Sequence, residues 1–467
     1  MKRFAIIYGK SKSELQKRAI EELSRTLLDY TVEYPICCQC DDGTKLDGYT
    51  RIYIGTKESN RYIKENSAST LSKDEEYAIK VKDGTAIIEG YDDAGVLYGV
   101  LDFYNKYITK HEHPDSPDEY WVNFLQRGEL PDFEYSSAPA IKDRGLWTWG
   151  HVIYDYRGYI DNMMKLKMNR VVIWNDFLPT NAKEIVEYAH SRNVKVIWGF
   201  SWLWDTNCGE VDIRNLDKYS ASIFEKYEAE YAHLGADGLY FQSFTELKTD
   251  SIDGVLIAEA VTNFVNRTAA LFFDKYPSLE LQFGLHATSV KDRLSFIEAV
   301  DPKIRIVWED CGAFPFSYLP TDVEGFDQTK EFAKVIAKLR GDSDRFGVVT
   351  KGLVKLDWLE FKHPTAPQCI GVSSRYMKEN RIERKRRIWR YIQSGWIANA
   401  DRACEMMREL CRLKSGDLYA LALVEDGMFE ENVMYPVALL SEMLWDCDAD
   451  VKALMQEVAL RSYVTFA

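Results

Sequence analysis

The chain of 467 residues is 46% hydrophobic and 28% charged and carries a formal net charge of -14. Such a length accommodates roughly two to four domains with a large core. The acidic balance argues against nucleic acid and anionic membrane surfaces as partners, since both demand a cationic face.

Strand and helix alternate at the start of the chain: residues 3–8 read as a strand, 13–28 as a helix and 51–55 as a strand. Residues 76–81 and 85–90 form a hairpin around the turn Asp83-Gly84, and a helix over 93–107 follows, burying Val96, Leu97, Val100, Leu101 and Tyr104 at helical spacing. From 111 to 138 the chain is rich in Pro, Asp, Glu and Ser and reads as a connector. His111 and His113 stand in it, a polar linker setting that does not suit a metal pair.

Beyond the connector, apolar strands alternate with amphipathic helices. Strands are expected over 145–149, 170–174, 195–200, 237–246, 279–285 and 304–309, with helices over 156–167, 182–192, 219–233, 255–276 and 293–300 between them. Six such units, each strand nearly continuously apolar, favour a (β/α)₈ barrel over an open sheet. No Gly-x-Gly-x-x-Gly loop follows a strand, which removes the main reason to expect a dinucleotide fold. Residues 352–358 and 369–373 are the expected seventh and eighth strands. Helices over 383–400, 403–413, 433–444 and 451–461 are expected to close and flank the ring. The expected organisation is an α/β domain over 1–135, a TIM barrel over 136–400 and a helical segment over 401–467.

The nine cysteines are odd in number and scattered, which suits reduced thiols better than a disulfide framework. Cys37, Cys38 and Cys40 cluster, but no second Cys/His pair follows at zinc spacing, so no metal is expected, and no cofactor motif appears. The apolar stretch at 4–8 is too short for a signal peptide and no apolar run is long enough to cross a bilayer, so a cytoplasmic location is expected unless a leader preceded this chain.

Carboxylates stand where a barrel places its chemistry, at the C-terminal ends of strands. Glu246 ends the fourth expected strand, and Glu309 and Asp310 end the sixth. Two carboxylates suffice to cleave an acetal: one protonates the leaving oxygen while the other attacks the anomeric carbon or activates water. Glu309 and Asp310 are adjacent, so on an extended chain they point to opposite sides and only one faces the axis. Asp205, Asp357 and Glu360 stand in reserve. Trp147, Trp149, Trp174, Trp202, Trp204, Trp308 and Trp358 fall at or just past expected strand ends, where flat indole faces serve as platforms for sugar rings. Asn175, Asp176, Gln242 and His286 lie at strand ends too and are suited to bonding sugar hydroxyls. The expected partner is a carbohydrate; the sequence does not address oligomeric state.

The unit from Tyr77 to Tyr104 with Gly90, Gly95 and Gly99, the barrel entry Asp143-Arg144-Gly145-Leu146, the run 165–170 and the run 185–190 follow one another in a specific order and spacing. By these segments the chain, over its first 310 or so residues, resembles glycoside hydrolases of the β-N-acetylhexosaminidase and α-glucuronidase type. It implies a small α/β domain before a catalytic barrel, Arg144 as an arginine holding hydroxyls of the terminal sugar, and Glu246 as the general acid. Hexosaminidases place an aspartate directly before that acid; here the position is Thr245. A direct base or nucleophile, Glu309 or Asp310, is therefore expected in place of substrate assistance. The competing expectation is a glycan-binding barrel without catalysis.

Overall fold

The computed structural model describes residues 3–10, 13–112, 124–203, 212–243, 249–286, 292–310, 315, 325–355, 364–373, 375–414, 417–430 and 432–467. Two compact units emerge, one comprising residues 1–139 with 191–193 and the other 140–190 with 194–467.

The first unit is built on a six-stranded sheet in the order Ile36–Gln39, Arg3–Tyr8, Tyr49–Gly55, Thr85–Gly90, Tyr77–Lys82, Phe133–Ser137. Its first four strands are parallel, and the hairpin and the last strand add antiparallel pairings. Glu14–Thr31 forms its long helix, entered at Ser13, whose hydroxyl accepts the Gln16 amide at 3.1 Å. Asp92 caps Asp93–Asp102 in the same way, by accepting from Gly95. The expected connector contains an unexpected edge strand, Phe133–Ser137, whose burial alternates between half-buried and exposed.

The second unit contains a closed barrel of eight parallel strands in sequential order: Asp143–Trp149, Arg170–Trp174, Lys195–Gly199, Gly238–Phe241, Glu280–His286, Arg305–Glu309, Phe346–Leu353 and Tyr419–Val424, hereafter barrel strands one to eight. Side chains alternate between the interior and the surrounding helices. Trp147, Trp149, Val172, Trp174, Ile197, Tyr240, Val307, Val349, Tyr419, Leu421 and Leu423 fill the inside. Leu146, Val171, Ile173, Ile306, Trp308 and Val348 face the helices. Gly145 is required at the barrel entry because a Cβ there would sit 1.7 Å from the carbonyl oxygen of Arg170 on the adjacent strand.

Barrel strands seven and eight correct the sequence expectation. Strand seven begins at Phe346, ahead of the expected 352–358, and it carries Lys351 into the interior. Strand eight is Tyr419–Val424, while 369–373 forms no strand beyond a single bridge between Asp155 and Val372. The last part of the chain is therefore integral to the barrel and not an external helical appendage. Its helices Tyr435–Trp445 and Val451–Ala459 are tied down by Arg461, which is buried and bonded to Glu442 at 2.9 Å and to Glu457 at 3.0 Å. No helix among the described residues is long and apolar enough to cross a membrane.

Candidate active site

Glu309 is the last residue of barrel strand six and points to the axis, as does Val307 two residues before it. It is buried. Its Oε1 accepts from the Tyr240 hydroxyl and from Gln242 Nε2, and its Oε2 pairs with Lys351 Nζ at 2.8 Å. Burial alone would raise this carboxyl, but the Lys351 ammonium and the bonds from Lys351 and Tyr240 outweigh it and hold Glu309 below its ordinary range. His286 stands beside Glu309 in register on barrel strand five. Burial and the Lys351 charge push its imidazole down to about 4, so at neutral pH it is uncharged and Lys351 supplies the counter-charge. Tyr240 is forced well above its ordinary value, chiefly by burial and then by Glu309, and remains a donor.

Asp310 turns the other way. Its Oδ2 accepts the backbone N–H of Lys351 at 2.6 Å while its own N–H bonds Val349, so it fixes strand seven against strand six. Of the two adjacent acids, Glu309 is the one directed to the axis.

Of the seven tryptophans, Trp147, Trp149 and Trp174 lie inside the barrel, with Trp147 edge-on to Trp149 and both Trp147 and Trp174 edge-on to Tyr240. Two are corrections. Trp202 is fully buried between Phe241 and Phe272, stacked on Phe241 at 3.7 Å, and Trp308 packs outward against Phe332. Neither reaches the interior, because strand parity sends Trp308 opposite to Glu309. Trp204 and Trp358 lie outside the described residues, as do Glu246, Asp205, Asp357, Glu360 and His113.

Arg144 is a further correction. It belongs to the N-terminal end of barrel strand one and turns away from the axis, where its guanidinium donates to the carbonyls of Ile141, Lys142 and Lys167 and lies over Trp445. These bonds fix it to the foot of the barrel. Asn175 sits at the correct end, one amide hydrogen bonded to Phe177 at 2.7 Å. Its Oδ1 and the Trp147 indole N–H are buried with no hydrogen-bond partner among the described residues, and Gln242 is committed to Glu309.

A second polar cluster, missed from sequence, occupies the end of barrel strand eight. Lys385 bonds Glu425 at 2.7 Å and pairs with Asp426 at 2.9 Å, and Asp426 accepts from the Tyr154 hydroxyl at 2.5 Å. Glu430 accepts the Tyr154 N–H at 2.9 Å and is pushed up to about 7, mainly by burial. The signal is present as Glu425-Asp426 after an apolar run, but that run falls between the helices expected over 403–413 and 433–444, where no element is expected. No group of His, Cys, Asp and Glu among the described residues is arranged to hold a metal ion.

No family model and no curated protein matches this sequence. Solved structures do resemble it. A GH20 β-N-acetylhexosaminidase from Streptomyces coelicolor A3(2) superposes with a TM-score of 0.59 at 12% identity, covering 100% of this chain and 95% of its own. CpGH84B gives 0.55 at 14% identity, with 98% and 70% covered. BtGH115A, a 4-O-methyl-α-glucuronidase, gives 0.55 at 14% identity; 97% of this chain matches, but it spans only 58% of that enzyme's length. Identities this low show a shared fold alone, that of TIM-barrel glycoside hydrolases.

Proposed function

We propose that the protein hydrolyses a glycosidic bond at the C-terminal mouth of the barrel, with Glu246 as general acid and Glu309 as base or nucleophile. The observation that carries this reading is the Glu309 carboxylate, fully enclosed by the barrel yet kept ionised by Lys351, Tyr240 and Gln242. A carboxylate kept charged without water is suited to take a proton from a nucleophilic water or to attack an anomeric carbon. Each carboxylate oxygen offers two lone pairs. Among the described residues Oε1 is filled by two donors, whereas Oε2 accepts only Lys351 and retains one pair for chemistry.

Bond cleavage balances simply. Glu246 gives its proton to the leaving oxygen as the C–O bond breaks, and water, deprotonated by Glu309 or arriving after a glycosyl–Glu309 ester, supplies the hydroxyl to the anomeric carbon. Trp149, Trp174 and Trp147 are the aromatic walls of the subsite, and the unpartnered Asn175 Oδ1 and Trp147 N–H are offered to sugar hydroxyls. The substrate is an N-acetylhexosaminide or a uronoside. The named neighbours, a β-N-acetylhexosaminidase and a 4-O-methyl-α-glucuronidase, support that range.

One observation favours a second reading, a carbohydrate-binding barrel without catalysis: Glu309 already has three donors, as a purely structural acid would. Release of aryl alcohol from aryl β-N-acetylglucosaminides, β-glucosides and α-glucuronides by wild type, Glu246→Gln and Glu309→Gln separates the two. Turnover by wild type that falls at least a hundredfold in each variant is expected. Binding of a glycan without turnover supports the second reading.

A further inference from the structure

The opposite end of the barrel carries a cavity of about 540 Å³ among the N-terminal ends of its strands. Six cationic side chains line it, Lys142, Arg170, Lys195, Lys303, Arg305 and Arg345, against three acids, Asp143, Glu280 and Asp344. In a chain of net charge -14 this is a local reversal of sign.

The floor is an ordered charge network. Arg170 pairs with Asp143 at 2.6 Å, and Arg305 pairs with Glu280 at 2.8 Å and Asp143 at 3.4 Å, while its guanidinium lies 4.3 Å from the Tyr419 ring centroid. At the rim Arg345 pairs with Asp344 at 3.3 Å. Those pairings consume all three acids. Lys142, Lys195 and Lys303 are left at the exposed rim with no carboxylate in ion-pair range among the described residues. On the floor, Arg305 Nη1 and Arg170 Nε are buried without a hydrogen-bond partner among the described residues. Arg305 is only 2% exposed, so this unused donor is costly unless something enters to accept from it.

We propose that this basal cavity binds a phosphate monoester of about the size of a hexose phosphate. A dianionic phosphate matches the surplus of three positive charges and offers acceptors to both a buried guanidinium and the lysines at the rim. The volume leaves room for a sugar-sized group behind the phosphate, beyond what an inorganic anion fills. The site lies at the far end of the barrel from Glu309, so it stands independently of the hydrolytic reading.

Titration calorimetry of the full chain with glucose 6-phosphate, inorganic phosphate, inorganic sulfate and glucose tests this. Glucose 6-phosphate is expected to bind at least tenfold more tightly than phosphate or sulfate, glucose not at all, and affinity is expected to fall with added salt. Lys195→Glu and Lys303→Glu, both exposed and without a side-chain hydrogen bond or ion pair among the described residues, are expected to lower that affinity at least tenfold with little change in Tm of the free protein. Absence of heat with glucose 6-phosphate, equal affinity for sulfate, or undiminished binding in both charge reversals overturns the proposal, whether or not the protein cleaves glycosides.

Discussion

The Tyr240 hydroxyl reaches the Glu309 carboxylate from two strands away, across barrel strand five at the one position where that strand has no side chain. A Cβ on Gly284 would stand 2.0 Å from the Tyr240 oxygen. Gly284→Ala is therefore expected to displace the ring and strip Glu309 of a donor, costing about 1–3 kcal/mol as overpacked core substitutions do. Tyr240→Phe loses the bond alone, a charge-assisted one of about 1.5–3 kcal/mol. In both variants the Glu309 carboxyl rises, so the acid limb of the pH–rate profile moves to higher pH. Urea titration and that profile check the two effects separately, and an unmoved limb in both refutes the assigned contact.

Lys351 is the charge on which Glu309 depends. Lys351→Met leaves a buried carboxylate without its cation, and breaking such a pair costs about 3–5 kcal/mol. The pH dependence has a definite sign. In the wild type the Glu309 carboxyl lies below its unfolded value of about 4.3, so the stability it contributes is present above that pH and is lost as pH falls through the lower folded value. In the variant, burial without the cation raises the carboxyl, and stability falls as pH increases. The difference between the two proteins is thus largest at neutral pH and shrinks below about pH 4. Denaturant unfolding at pH 4, 5.5 and 7 measures it.

Six barrel strands were legible because each is a nearly continuous apolar run, as a strand covered on both faces is. The seventh was displaced because Thr350 and Lys351 break its apolar run, and what ends the run for a reader of sequence is what equips the site. The eighth, Tyr419–Val424, is a six-residue apolar run among helices, and periodicity alone does not distinguish such a run from a buried helix. Glu309 was legible at its strand end, while Lys351 and Tyr240 became its partners only through the register between strands. Two errors were avoidable by parity. If Glu309 faces in, Trp308 faces out, and Arg144 is out of phase with Trp147 and stands at the wrong end of its strand.

Arg144 offers a test that separates architecture from chemistry. Its guanidinium is bonded to three backbone carbonyls at the foot of the barrel, at the N-terminal end of its strand, whereas Glu309 ends its own strand at the opposite face. Arg144→Lys retains one charge but cannot reproduce the planar fork, and is expected to cost about 2–4 kcal/mol in stability as buried charge-assisted bonds are lost. On the folded fraction, KM and kcat for an aryl glycoside are expected to stay within about twofold of wild type, since the change alters neither ground-state nor transition-state contacts. A KM raised tenfold at full folding would instead place this arginine on the sugar.

Glu430 links the loop after barrel strand eight to the loop after strand one, through the Tyr154 N–H, and its carboxyl is pushed up to about 7. The folded chain thus holds a proton here that the unfolded chain, with an ordinary value of about 4.3, has already released. Between those two values stability falls as pH rises, by up to about 4 kcal/mol, and it levels off above. Glu430→Gln keeps an oxygen to accept from Tyr154 and removes the ionisation. It is expected to match the wild type at pH 4 and to exceed it by up to about 4 kcal/mol at pH 8. Because Tyr154 also donates to Asp426 at 2.5 Å, ionisation of Glu430 is expected to loosen this side of the mouth first. Hydrogen exchange of the Tyr154 amide should then quicken between pH 6 and 8 in the wild type, beyond the intrinsic rise with hydroxide, and show only the intrinsic rise in Glu430→Gln.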